Sequence, residues 1–432
     1  MRTPQKENTL GVCFARSIVA ATLALVAALV VFSQNAIESG NQIDQVLRDA
    51  VNEKKVPGIV AMVSVADKVT YQGAAGLRDS TKNIPMTVDS IFRIASMTKA
   101  ITSVAVMQLV ESGRVKLDEA AWTYLPELSG VQVLERFDPT GKPILRTPRS
   151  IPTVRQLLTH TSGFVYEFFD EDLHRYTVSG AVPSFNDGGD GFLKAPLRFD
   201  PGSRWEYGIG IDWLGRLVEK VSGQSLEAYF RKHICQPLGM KDTFFDVPPE
   251  KQPRVVAIQQ RQNDGSLVEP PQQPLKPARF FSGGAGLYST AGDYLTFERM
   301  LLDGGKVGSK RILKSETIEE MSRNQIGDLN LVDLRSSMPE VAKDPVRIQG
   351  LDKFGLGFAI NTKPFEGGRS AGSLTWAGIY STFFWIDPPR KTCAVLMLQI
   401  LPFGDDVTNT VVAQFERAVY ANTAQTAVRS AN

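Results

Sequence analysis

The chain has 432 residues, 43% of them hydrophobic and 22% charged, an ordinary globular composition with material for one large core or two modest ones. Its 48 basic and 46 acidic residues leave a formal charge of +2, and the excess lies in residues 1–36, where Arg2, Lys6 and Arg16 face only Glu7. The rest is balanced, which excludes an electrostatic drive toward nucleic acid or an anionic membrane surface, and three cysteines are too few for a disulfide-stapled scaffold.

The N-terminus has the layout of an export signal. A basic stretch runs to Arg16, and an apolar run, "SIVAATLALVAALVVF", follows from Ser17 to Phe32. Its 16 residues fall short of the ~20 that a spanning helix needs. "SQNA" offers cleavage after Ala36. The expectation is a leader over residues 1–36 and a periplasmic or secreted protein; uncleaved, residues 17–32 would anchor it to a membrane instead.

"IDQVLRDAVNEKK" (43–55) reads as the first helix. "GIVAMVSVADKVTYQGAAG" reads as a hairpin turning at Asp67-Lys68. A helix opens near Ser96, stays apolar through "AITSVAVMQLVES" and stops at Gly113. The middle is rich in loops, with helices at "GIDWLGRLVEKVS" and "SLEAYFRKHI", the second N-capped by Ser225. The proline-rich "PPQQPLKP" (270–277) connects to the helix "AGDYLTFERMLLDGG". "GLGFAI", "LTWAGIYSTFFWID" and "TCAVLMLQI" read as strands, and "VTNTVVAQFERAVYA" as a closing helix.

Strands at both ends and helices between them predict an α/β fold. An antiparallel sheet built from both termini is flanked by helices, and a mostly helical region is inserted. The expected domain spans 41–425, its α/β part at about 41–118 and 285–425 and its helical part at about 119–284.

Two serines compete for a nucleophile's role. Gly368-Arg369-Ser370-Ala371-Gly372 spells G-x-S-x-G. That motif works when the serine sits on a sharp strand-to-helix turn. Ser370 is followed by aromatic and β-branched residues, hence by strand, and reads as a glycine-rich connection. Ser96 instead opens a long helix, with Lys99 one turn later on the same face. Ser-x-x-Lys alone is a weak signal. The flanks of Lys99, Met97-Thr98 and Ala100-Ile101, are uncharged, an odd setting for a merely solvated lysine. A serine hydroxyl needs a base to become a nucleophile, and burial brings a lysine amine into that range.

"SMTK" (96–99), "LLTHTSGF" (157–164), "PGSRWEYGIGIDWLG" (201–215), "SGGAGLYSTAGDY" (282–294), "FGLGF" (354–358) and "TWAGIY" (375–380) occur in this order. Together they resemble the serine β-lactamase and penicillin-binding-protein-like family, above all its class C-like esterase branch, the family VIII carboxylesterases. The resemblance covers about residues 41–425. It implies a β-lactamase-like fold and an acyl-enzyme on Ser96. Lys99 and Tyr207, the tyrosine of the family's Tyr-x-Asn motif, would act as base. The backbone N–H groups of Ser96 and Ile379 would form the oxyanion hole. Trp376-Ala377-Gly378 takes the place of Lys-Thr-Gly, with Trp376 and Gly378 at the substrate and Gly378 small enough for close approach.

Two departures matter. Ile209 replaces the motif's asparagine, and Trp376 replaces the lysine that helps hold a β-lactam carboxylate. A flat apolar wall favours neutral esters. The resemblance therefore implies hydrolysis of small-molecule carboxylic esters without a cofactor. Its rivals are an acyltransferase of the same fold, a weak β-lactamase or D-Ala peptidase, and a non-catalytic cell-wall-binding homologue. No nucleic-acid partner is expected, and membrane contact only through the N-terminal segment. His160 belongs to a motif that is structural in this family. His160, His174 and His233 lack partners at zinc-ligand spacing, so no metal is expected. "DED" (170–172) and "NDGGDG" (186–191) read as solvated loop near the site entrance. Cys235 and Cys393 leave one pairing open.

Overall fold

Strand Gly58–Val65 lies antiparallel beside strand Thr392–Met397, Val60 opposite Met397 and Val65 opposite Thr392. The two ends of the chain thus share the middle of one sheet. This computed structural model describes residues 42–421 except Gln349; the expected leader, the apolar run at 17–32 and Cys13 lie outside the described residues. The sheet has eight strands in the spatial order Lys353–Phe354, Ala359–Ile360, Leu374–Gly378, Thr382–Asp387, Thr392–Met397, Gly58–Val65, Lys68–Asp79 and Ile84–Pro85. Strands Thr392–Met397 and Gly58–Val65, fifth and sixth in that order, are buried almost throughout. That is why both read as nearly unbroken apolar runs.

Helices cover both faces. On one, the helix at 42–52 and helix Asp406–Tyr420 place Leu47, Val411 and Phe415 against Ile59, Trp385 and Leu396. On the other lie helices Thr98–Glu111 and Ala291–Leu302, with Ile101, Val104, Leu295 and Phe297 in the main core. Each such fully buried side chain contributes about 1.5–3 kcal/mol. Helix Thr98–Glu111 has no polar face and is buried on nearly all sides. Helix Gly210–Ser222, from the inserted region, packs against it. That helix is thereby the axle between sheet and insert, and Lys99 in its first turn is 1% exposed.

Local chemistry explains the boundaries. Ser225 Oγ accepts from Ala228 N, and Asp405 caps the last helix. Gly113 ends helix Thr98–Glu111 at φ +71°. Several expectations need correction. Ser96 sits in a 3-10 turn, Ala95–Met97, ahead of the α-helix proper. "GLGFAI" is strand only at Ala359–Ile360, because Gly357 takes φ +96°. "LTWAGIYSTFFWID" is two strands, folded back at Ser381 with φ +65°. The insert also carries a hairpin, Val133–Phe137 with Pro143–Arg146. "SLEAYFRKHI" is α-helical only to Phe230 and then widens into a π-turn. Cys235 and Cys393 are buried free thiols, one in the insert and one in the central sheet.

Candidate active site

The residue before Ser96 is strained. Ala95 has φ +41°, a left-handed conformation that costs a non-glycine residue about 1–3 kcal/mol. It turns the chain sharply out of strand Phe92–Arg93 and leaves Ser96 half-buried at the wall of a cavity. Lys99 Nζ lies 3.1 Å from Ser96 Oγ. The Tyr207 hydroxyl, which arrives from the insert, donates to the same Oγ at 2.5 Å. The three residues singled out from sequence therefore meet at one oxygen.

Lys99 is 1% exposed. Its amine also donates to Tyr166 Oη at 3.0 Å and to the Gly284 carbonyl at 2.7 Å. Tyr166 donates its own proton to Asp212 Oδ2 at 2.8 Å, so toward Lys99 it can only accept. A carbonyl, too, only accepts. When the amine is neutral, its two N–H groups go to these acceptors and its lone pair faces Ser96. Burial pushes the Lys99 amine down to about 7, against the opposing pull of the Asp212 carboxylate. Burial raises the Tyr207 phenol, although its hydrogen bonds with Ser96 and Trp376 pull the other way. Near neutrality the Lys99 amine is thus divided between its neutral and protonated forms, beside a protonated phenol. The sequence expectation paired Lys99 with Tyr207 as base; with the amine neutral, its lone pair and the Tyr207 proton both face Ser96 Oγ.

Asp212 and Tyr166 escaped the sequence reading. Asp212 is fully buried in the first turn of helix Gly210–Ser222. It also accepts from Ser282 Oγ and from Gly284 N at 3.1 Å. An acid on the buried stripe of an amphipathic helix was the available signal. Nothing in "GFVYEF" marked Tyr166. Gly284 has to be glycine, because a Cβ there would lie 2.2 Å from Asp212 Oδ2.

Trp376 lines the cavity and donates from Nε1 to Tyr207 Oη at 3.3 Å. It orients the phenol as well as forming a wall. Ile379 lines the same cavity beside Ala95 and Ser96. Gly378 differs from expectation: a Cβ there would meet Thr382 Oγ1 at 2.3 Å and the Ile94 carbonyl at 2.4 Å. The close approach it permits is to the chain leading into Ser96, not to open cleft. Gly378→Ala should cost about 1–3 kcal/mol through overpacking and displace the Ser96 turn. A lower melting temperature with lost turnover is the expected readout; a variant unchanged in both would show the contact to be loose.

The remaining candidates fall outside the chemistry. His160 is buried against the rings of Tyr207, 4.8 Å between centroids, and Phe354, 5.2 Å. Burial, with Lys99 nearby, holds its imidazole well below the ordinary range. Its Nδ1 accepts from Gly208 N at 3.4 Å, and it shares no hydrogen bond with Ser96. Ile209 is buried at the head of helix Gly210–Ser222. Ser370 is absent from the cavity wall. Its N–H is held by Asp387 at 2.9 Å and its carbonyl by Asn361 at 2.8 Å. "DED" is not a solvated loop: Asp170 caps helix Glu171–Val178, and Asp170 and Asp172 both pair with Arg198. Asn186, Gly188 and Gly189 do reach the cavity. Among the described residues no group of three or more His, Cys, Asp or Glu side chains is placed to hold a metal.

A family model described as Beta-lactamase matches residues 43–417. The chain belongs to the beta-lactamase family. Among its relatives, the monacolin J acid methylbutanoyltransferase of Aspergillus terreus is 32% identical, over 87% of this chain and 94% of its own. The esterase EstB of Burkholderia gladioli is 30% identical, over 90% and 97%. Unliganded simvastatin synthase (LovD) of Aspergillus terreus superposes with a TM-score of 0.76 at 32% identity, over 90% of this chain and 99% of that one. The β-lactamase-like fold, the serine-hydrolase class and the likeness to the esterase branch stand together on these matches. Hydrolases and acyltransferases are both among the relatives of this beta-lactamase-family enzyme.

Proposed function

We propose that this beta-lactamase-family enzyme hydrolyses neutral carboxylic esters through an acyl-enzyme on Ser96. The observation that carries the reading is the convergence of Lys99 Nζ and Tyr207 Oη on Ser96 Oγ. The neutral Lys99 amine takes the Ser96 proton as Oγ attacks the ester carbonyl carbon. The tetrahedral oxyanion is held by the backbone N–H groups of Ser96 and Ile379, donors of the kind worth about 2.7–4 kcal/mol each. The alkoxide leaves with a proton relayed by Tyr207, which regains one from Lys99. Water, activated by the same pair, then releases the acid and restores Ser96. Trp376 in place of a cationic lysine supports neutral esters over β-lactams or D-Ala peptides. A chromogenic cephalosporin should turn over more slowly than a short nitrophenyl ester.

The names of the relatives favour a second outcome, transfer of the acyl group to an alcohol in place of water. Product analysis with added alcohol separates the two. Intact-mass measurement after a fluorophosphonate, with the labelled peptide sequenced, tests the shared step; a label on any residue other than Ser96 would sink the proposal. Tyr207→Phe should lower turnover about 10²-fold while Ser96 still takes up the label, which separates a proton relay from a structural ring. We further propose, from the pattern of residues 1–36, that the enzyme is exported.

A further inference from the structure

On its outer side, strand Leu374–Gly378 is paired only at Leu374 and Thr375, because its neighbour Ala359–Ile360 is two residues long. Beyond Thr375 that side has no strand beside it. Trp376 and Ala377 are adjacent in the strand and so point to opposite faces of the sheet. Both nevertheless line one cavity. The cavity must therefore pass around the unpaired edge, from the face holding Ser96 and Tyr207 to the face covered by helix Asp406–Tyr420.

The lining beyond that edge fits this path. Ala377 stands opposite Phe383, and Phe383 stacks on Phe403 with centroids 5.9 Å apart. Helix Asp406–Tyr420 contributes the apolar Val412 and Ala413 to the wall, with the polar Asn409, Thr410, Gln414 and Glu416 beside them. Val411, Phe415 and Val419 on another face pack into the core. The helix thus seals the sheet along one stripe and borders the cavity along the next. Strand Leu374–Gly378 spans about 13 Å from its far end to the nucleophile side. The whole cavity measures about 930 Å³, near the top of the ~300–1,000 Å³ that holds drug-sized ligands. A short acyl chain leaves most of it unused.

We propose that this second arm, between the sheet and helix Asp406–Tyr420, binds a long apolar chain of the ester, so that the preferred substrates carry an extended aliphatic or comparably bulky apolar half. The inference rests on the ester-hydrolase reading above. The chain belongs to either the acyl or the alcohol half; the chemistry recognised is the same.

Ala413→Phe and, separately, Val412→Phe narrow the arm far from Ser96, Lys99 and Tyr207. The ratio of kcat/KM for long over short esters is measured in two series: nitrophenyl butyrate against dodecanoate, and ethyl against dodecyl butyrate. The expected result is a fall of about tenfold or more in that ratio in one series, with short-ester turnover retained as the folding control. An unchanged ratio in both series, with short-ester turnover retained, overturns the proposal. Binding of a fluorescent dodecanoyl amide to the Ser96→Ala protein gives a readout that needs no turnover. Binding that Ala413→Phe or Val412→Phe weakens supports the arm; no binding, or binding that neither change affects, overturns it. If wild type turns over no ester while the amide still binds, the ester reading fails and the arm stands.

Discussion

Ser96→Ala should lower kcat for a short activated ester by about 10⁴-fold or more, the scale seen when a nucleophile is deleted from a working set. Ser370→Ala should stay within a few-fold of wild type. The contrast isolates geometry from spelling. Ser370 carries the better-known motif, but its backbone is pinned by Asp387 and Asn361 in a turn that feeds strand Leu374–Gly378. A strand, not a helix, follows it. Ser96 has a strained residue before it, a helix after it, an amine at 3.1 Å and a phenol at 2.5 Å. Steady-state kinetics on both variants, with circular dichroism to confirm folding, decide the matter. Loss of turnover in Ser370→Ala with retention in Ser96→Ala would reverse the assignment.

Lys99→Met should cost at least ~10² in kcat/KM and should change the pH profile. In wild type the free base is the working form. Burial lowers the Lys99 pKa to about 7, so kcat/KM rises as pH increases through about 7 and levels off above it. Below that value the ammonium has no lone pair and activity falls with the protonated fraction. Burial raises the Tyr207 pKa, so a phenolate base would place the rise above the ~10 of an ordinary tyrosine. The midpoint therefore discriminates. A rise near neutrality that Lys99→Met removes assigns the resting base to lysine. An alkaline rise that survives the substitution hands it to Tyr207. Methionine keeps most of the buried volume, so lost packing does not mimic the result. Tyr166→Phe is a useful companion. It removes the acceptor that orients the amine and should lower turnover by about tenfold without removing the titration.

Much of the site was legible because its parts lie close together in the chain or carry a distinctive residue type. Ser96 and Lys99 share a helix face through spacing alone, and the uncharged neighbours of Lys99 anticipated its burial. Tyr207 was readable only through resemblance, since 111 positions separate it from Ser96 and no local pattern joins them. Tyr166 was not legible, and Asp212 only as an acid on the apolar stripe of its helix. Their importance comes from a chain of hydrogen bonds, Lys99 to Tyr166, Tyr166 to Asp212 and Gly284 N to Asp212, whose members fall in four separate segments. Trp376 was foreseen as an apolar wall, but its hydrogen bond to Tyr207 depends on how the sheet and the insert meet.

Taken alone, the sequence determined the class of fold and pointed to Ser96 with Lys99 one turn further on. Alternating and continuous apolar runs, cap residues and helical spacing are local properties, and local physics acts on neighbours in the chain. The tertiary structure decided how deeply Lys99 is buried, why Gly378 tolerates no side chain, and where the cavity goes. Those answers depend on burial and on distances between residues hundreds of positions apart. Desolvation of Lys99 arises only when sheet, insert and helix Thr98–Glu111 close around it, and the open edge beside Trp376 exists because the neighbouring antiparallel strand begins only at Ala359, opposite Thr375.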